Sequence, residues 1–430
     1  MAASAEAAFE APYSGGAPAR HVAAVTIGNA LDFYDFLTYA FFAPQIGRTF
    51  FPAATPSASL LAALATFGAG FMMRPVGAWL IGGIGDRVGR KPAMLLTFAL
   101  MGAAMAGLAL TPSYASIGLA APLLAIAFRL LQGFALGGEV GPNTAFLVEA
   151  APLHRRGLYV AFQYLSQDLS VLATGVVGFA LASLMNDAAL DAWGWRIAFG
   201  LGVAIVPFGL AMRRQLGETL DAPEPTPIAP PRPPPSRRTL AILGLTMLAS
   251  GTVVSYVSSY IATYTTQTLR MSTQMGFVAT MATGLVGVAL DPVGGWLADR
   301  FGRKPVMVAP WVVLLLIGGP AFWWASQAKD AVSLIALAVA LTVPASFSST
   351  STLVAITEAL PRQVRSASLG LIYAFAISVF GGSTQFVVAW LTGLLHSDLA
   401  PAWYMTFWVA VGCLAKLMMP ETSPVKAAPS

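Results

Sequence analysis

The chain has 430 residues, 57% of them hydrophobic and only 10% charged, where a soluble domain carries about 25% charged residues. That balance excludes a soluble enzyme or regulator and implies an integral membrane protein. The formal charge of +5 then reads as a topology signal, and a nucleic-acid partner is not expected.

Apolar segments of roughly 20 residues match a hydrocarbon core about 30 Å thick. Twelve are predicted, at 22–47, 57–84, 92–111, 115–143, 157–185, 193–213, 239–265, 273–298, 305–326, 331–357, 365–395 and 401–419. They divide the chain into a tail (1–21), a six-helix bundle (22–213), a linker (214–238), a second six-helix bundle (239–419) and a short tail (420–430). Short cytoplasmic loops collect Lys and Arg. Placing the N-terminus inside puts 18 of the 24 basic residues, Lys416 among them, at the cytoplasmic face. Both termini are therefore expected in the cytoplasm.

Along the first half, ionisable groups fall inside spans, where a charge at mid-bilayer costs about 2.5–3.5 kcal/mol on insertion scales and persists mainly when it faces a cavity or a partner. Span 1 carries Asp32 and Asp35, span 2 carries Arg74, and span 5 carries Asp168. On span 4, Arg129, Gln132, Glu139 and Asn143 share one face at helical spacing, a polar stripe suited to a cavity. Span 5 repeats the pattern with Gln163, Gln167, Ser170 and Thr174.

Between the halves, the proline-dense tract from Pro223 to Pro235 is extended and cannot pack as a core. It reads as a tether, or alternatively as a site for a proline-binding partner. Span 7 has the row Tyr256, Tyr260, Tyr264 and Gln267, which serves either a binding site or helix packing. The second half otherwise supplies hydroxyls and amides, Ser346, Ser349 and Gln385 among them, and one intramembrane carboxylate, Asp291, expected near a cytoplasmic end. Cys413 excludes an internal disulfide. His21, His154 and His396 fall outside the expected spans, so carboxylates must carry any proton.

Two patterns recur. Gly-x-x-x-Asp-Arg-x-Gly-Arg-Lys-Pro runs from Gly82 to Pro92 and again from Gly295 to Pro305; Glu149 with Arg156 is echoed by Glu358 with Arg365. Order and flanks are kept, so the halves are parallel repeats about an axis along the membrane normal. Asp86 and Asp299 are placed to accept hydrogen bonds at helix N-termini, and Arg87, Arg90, Arg300 and Arg303 to pair with acids. Topogenic charge alone would explain the same residues.

The doubled motif and two-bundle layout resemble the major facilitator superfamily over essentially the whole chain. The segments from Gly28 to Phe36, Phe71 to Gly77 and Arg129 to Phe134 resemble its metabolite:proton symporter family. Within that family, the run from Arg48 to Pro52, the segment Gly118 to Pro122, and Phe380-Gly381-Gly382 look like citrate-proton symporters. The family usually has Glu where Asp32 stands. The resemblance implies an all-α fold of twelve transmembrane helices, alternating access, gating by the doubled loops with Glu149, Arg156, Glu358 and Arg365, and a bacterial cytoplasmic-membrane location.

Two buried arginines suit a carboxylated substrate, because a guanidinium fork binds a carboxylate through two parallel hydrogen bonds. The expected substrate contacts are Arg129, Arg74, Gln132, Asn143, Gln163, Gln167, Tyr256, Tyr260 and Gln385. The expected proton carriers are Asp35, Asp32 and Glu139. Structural pairing remains the other reading of each aspartate, and of Arg129 with Glu139 or a span 1 aspartate. The expected reading is proton-coupled symport of a small carboxylate, citrate or a related tricarboxylate. Dicarboxylates, other acids or zwitterions are alternatives; a drug antiporter or a membrane sensor is less favoured. No nucleotide loop, metal-spaced cluster or nucleophile elbow occurs, so no enzyme, metal, cofactor or ATPase subunit is expected, and the carrier is expected to be a monomer.

Overall fold

The computed structural model describes residues 19–87, 90–138, 143–144, 147–148, 151–214, 236–360 and 365–423. The tails, the proline tract, Glu139 and Glu149 lie outside the described residues. In lipid each backbone N–H and C=O must be satisfied within its own segment, and the described residues are helical with no strand. Twelve helical spans follow in order. In the first half they are α1 (Ala19–Phe41), α2 (Pro56–Met72, resumed after Met73 as Arg74–Arg87), α3 (Arg90–Leu110), α4 (Ala120–Gly137), α5 (Arg156–Leu184) and α6 (Trp195–Arg214). In the second they are α7 (Arg237–Thr263), α8 (Thr273–Phe301), α9 (Arg303–Ala328), α10 (Ala331–Ala359), α11 (Arg365–Ala376, resumed as Gly382–Leu395) and α12 (Ala400–Met418).

Boundaries differ from expectation at spans 1 and 4: α1 ends at Phe41 and a separate short helix, Ala43–Phe50, follows it. Gly118, with φ of 60°, ends a short turn of helix at Tyr114–Ile117, and the span itself starts at Ala120. A positive φ is open to glycine without the Cβ penalty of other residues. His21 also falls within the first turn of α1 instead of ahead of it.

Glycines bring backbones together where the halves are built. Gly70 and Gly77 on α2 face the backbone of Arg129 and Phe134 on α4, while Gly133 and Gly137 on α4 face Gly70 and Arg74. Small residues spaced a turn apart let membrane helices approach closely, and here they set Arg74 and Arg129 side by side. Between halves, α5 packs along α8 through Gly157 against Gly295, and α2 meets α11 through Gly68 against Gly382. The internal repeat maps α2 onto α8 and α5 onto α11, so these two interfaces are images of one another. A π-helical turn at Ile377–Gly381 interrupts α11, and there Ser378 Oγ donates to Phe71 O at 2.6 Å.

The second motif copy explains itself residue by residue. Gly302, at φ of 97°, ends α8 and starts α9. Pro305 then falls in the first turn of α9, where its missing N–H is no loss. Asp299 Oδ1 and Oδ2 accept the N–H groups of Gly157 and Leu158 at 2.8 and 2.9 Å, at the positive end of the α5 dipole. Arg303 donates to Asp299 at 2.8 Å and to both carboxylate oxygens of Glu358, at 3.2 and 3.0 Å. Glu421 caps α9 by accepting from Arg303 N and Lys304 N at 2.8 and 3.0 Å.

Candidate functional site

Two polar regions lie inside the helical body. The first is enclosed between α1, α2 and α4. Gln132 Nε2 donates to Asp35 Oδ1 at 3.1 Å, and Arg129 Nη1 donates to Gln132 Oε1, so carboxylate and guanidinium are joined through an amide without a direct salt bridge. Asp35 is 0% and Arg129 1% exposed. Aromatic faces replace water around both arginines. Arg129 lies 4.4 Å from the Tyr39 ring centroid and 5.2 Å from that of Phe67, and Arg74 lies 4.2 Å from that of Phe71. Each such contact is worth about 2 kcal/mol when desolvated. Tyr256 of α7 lies beside Arg74 and packs edge-on against Phe71, bringing the second half against the cluster. Asp35 Oδ2, Arg74 Nε and Arg129 Nε have no hydrogen-bond partner.

The second region is a cavity between the halves, lined from α5 by Tyr164, Gln167 and Asp168, from α7 by Tyr256, from α8 by Asp291 and from α12 by Lys416. Phe36 lines both regions, and Tyr256, which lines the cavity, packs against Phe36 and Phe71, so aromatic rings stand between the arginine cluster and the cavity.

The expected site residues divide accordingly. Arg129, Arg74, Gln132 and Asp35 come together in the enclosed cluster, and Gln167 and Tyr256 reach the cavity. Gln163 does not; its Nε2 donates to Asn29 Oδ1 at 3.3 Å, and Asn29 Nδ2 donates to Ser166 Oγ at 2.5 Å, a strap between α5 and α1. Tyr260 is buried in the apolar packing around α7. Asn143 is buried. Gln385 is buried with neither amide atom hydrogen-bonded. The side chains of Asp32, Asp86, Arg87, Arg90 and Arg365 are outside the described part of the structure, as are Glu139 and Glu149. Arg156 starts α5, and Arg300 lies over the rings of Trp296 and Phe301 at 5.4 and 5.7 Å.

Sequence reasoning placed two groups wrongly. Lys416, counted with the basic residues of the cytoplasmic face, is 1% exposed; its Nζ donates to Ser348 Oγ at 2.7 Å and lies 3.3 Å from the Trp311 ring centroid. Its place two residues before the end of α12 was the misleading signal, because the side chain turns inward. Asp291, expected near a cytoplasmic end, is 1% exposed and sits one-third of the way along α8 from its C-terminus, facing Asp168. Charge inside the membrane is thus not confined to the first half.

The Major Facilitator Superfamily pattern matches residues 25–385. A citrate-proton symporter of Klebsiella pneumoniae is 34% identical over 96% of this chain and 94% of its own length. The alpha-ketoglutarate permease of Escherichia coli (strain K12) is 32% identical over 91% of each chain. Among solved structures, a D-xylose-proton symporter superposes with a TM-score of 0.72 at 17% identity, covering 96% of this chain and 99% of that one. The relatives and the fold are those of transporters and not of enzymes, and the chain belongs to the major facilitator superfamily.

Proposed function

We propose that this protein is a proton-coupled symporter of a small carboxylate, citrate or a related tricarboxylate, in a bacterial cytoplasmic membrane. The observation that carries this reading is the Asp35–Gln132–Arg129 chain, an acid and a guanidinium linked inside the helical body and separated from the central cavity by aromatic rings. A charge so enclosed is costly unless its partner balances it. Protonating Asp35 removes the balance and frees the guanidinium for a carboxylate entering the cavity. Phe36 and Tyr256 must move for that contact to form. The two bundles then rock about the site, with the Asp299 latch closing one end and its Asp86 counterpart acting in the same way. The proton is the coupling ion, both termini face the cytoplasm, and a monomer suffices.

Citrate-proton symporters at 32–34% identity support the tricarboxylate. The permease relative supports a second reading in which a dicarboxylate is carried by the same cluster. Uptake of radiolabelled citrate into proteoliposomes under an inward proton gradient separates them. Accumulation that collapses with a protonophore and yields to tricarballylate, but not to dicarboxylates or a sugar, is the expected result. Competition by dicarboxylates alone moves the assignment to the second reading, and no uptake of either overturns both. In the same assay, Asp35→Asn is expected to abolish gradient-driven accumulation while leaving exchange.

A further inference from the structure

The two halves pack together along α5 and α8, and two acids meet within that interface. Asp168 of α5 and Asp291 of α8 lie within hydrogen-bonding reach of each other. The approach is built into the backbone: a Cβ at Gly287, one turn before Asp291, would fall on the Asp168 carboxylate, and one at Gly284 would meet Asp168 O at 2.8 Å. Asp291 is 1% exposed, its Oδ2 accepts no hydrogen bond, and Ser346 lines the cavity beside it. Asp168 is half-buried because its other side looks into the cavity.

No Lys, Arg or His forms an ion pair with either acid among the described residues. The titratable groups that share the cavity are Tyr164 on α5, Tyr256 on α7, Tyr373 on α11 and Lys416 on α12, and Lys416 is turned to Ser348 and Trp311. Two carboxylates in contact, away from bulk water and without a cation, cannot both be ionised. An acid bonded to a carboxylate by one proton satisfies both, including the oxygen that lacks a donor.

We propose that Asp168 and Asp291 form one proton-binding site spanning the two halves, and that the shared proton holds α5 and α8 together. With the proton the pair carries a single negative charge and one O–H···O bond. When the O–H bond breaks, the proton passes to cavity water and two negative charges face each other across the interface. Repulsion then separates the helices, so proton release and bundle movement become one event. This rests on reading the chain as a proton-coupled carrier, but not on its substrate.

The test needs no substrate. With Cys413→Ala as background, spin labels at His154→Cys and Phe301→Cys report the separation of the α5 and α8 ends by pulsed electron resonance in the reconstituted full chain; both positions are exposed. Raising the pH is expected to shift the population from short to long distance, in step with loss of a protonated-carboxyl infrared band. Asp168→Asn and Asp291→Asn are each expected to hold the short distance at every pH, and the double variant to do no more than either. A wild-type distance indifferent to pH, or Asn variants that shift as wild type does, overturns the proposal. If one variant fails to fold, the other removes the same proton from the opposite helix. If neither folds, a distance shift without the infrared change in the unsubstituted pair overturns it. Absence of citrate uptake alongside the expected distance shift would overturn the substrate and leave the proton site standing.

Discussion

The enclosed arginine cluster and the central cavity differ in how each buried charge is balanced. In the cluster, Asp35 and Arg129 share Gln132, and aromatic rings cover what the amide does not reach. In the cavity, Lys416 has one hydroxyl and one ring, and Asp168 and Asp291 have each other. The Asp35–Gln132–Arg129 chain is complete within one half of the molecule. In the second, Lys416 is balanced within the other half, but the Asp168–Asp291 pair is complete only while the halves touch, so it is the part that senses their separation.

The sharpest way to break this comparison is to remove one cation from each region. Arg129→Ala leaves Asp35 buried without its counter-charge and is expected to cost about 3–5 kcal/mol, the usual penalty for breaking a buried charge pair. Lys416→Met is expected to leave stability unchanged or raised, since Lys416 has no acidic partner among the described residues. Thermal unfolding in detergent compares the two, and equal losses would erase the distinction.

Arg303→Met tests the latch that joins the halves without titrating in the cavity. Arg303 is 1% exposed and bridges Asp299 and Glu358, so a loss of about 3–5 kcal/mol is again expected at the upper end, with the labelled ends of α5 and α8 moving apart at every pH. Gly133→Ala is expected to cost about 1–3 kcal/mol by overpacking, because its Cβ would strike the backbone of Gly70. It should weaken substrate affinity by displacing Arg129, a change read as a rise in the KM of uptake. Arg48→Ala is the smallest: the Arg48–Asp191 bridge is 43% and 35% exposed, and such pairs are worth about 0.2–1 kcal/mol. A larger loss would mean that the bridge also fixes the turn at Leu190–Gly194.

Much of the cluster was legible beforehand because Arg129 and Gln132 lie three residues apart on one helix, and helical spacing alone puts them on one face. Gln163 had the same credentials and went elsewhere, since its rotation on α5 aims it at Asn29 of α1. Asp168 and Asp291 could be seen separately, one on an α5 stripe and one alone on α8. Nothing local to either segment states that they meet. Lys416 was misread because a long side chain near a helix end can turn outward or inward, and only its neighbours Ser348 and Trp311 decide which.

Hydropathy, the doubled motif and the basic loops are local and repetitive signals, and they determined a twelve-helix, two-bundle membrane protein with ionisable groups inside the bilayer. Which of those groups face one another depends on helix rotation and on where bare glycine backbone lets two helices close. Those are set by packing between segments far apart in the chain, so the link from Asp35 through Gln132 to Arg129, the inward turn of Lys416 and the carboxyl pair across the interface were decided by the tertiary structure.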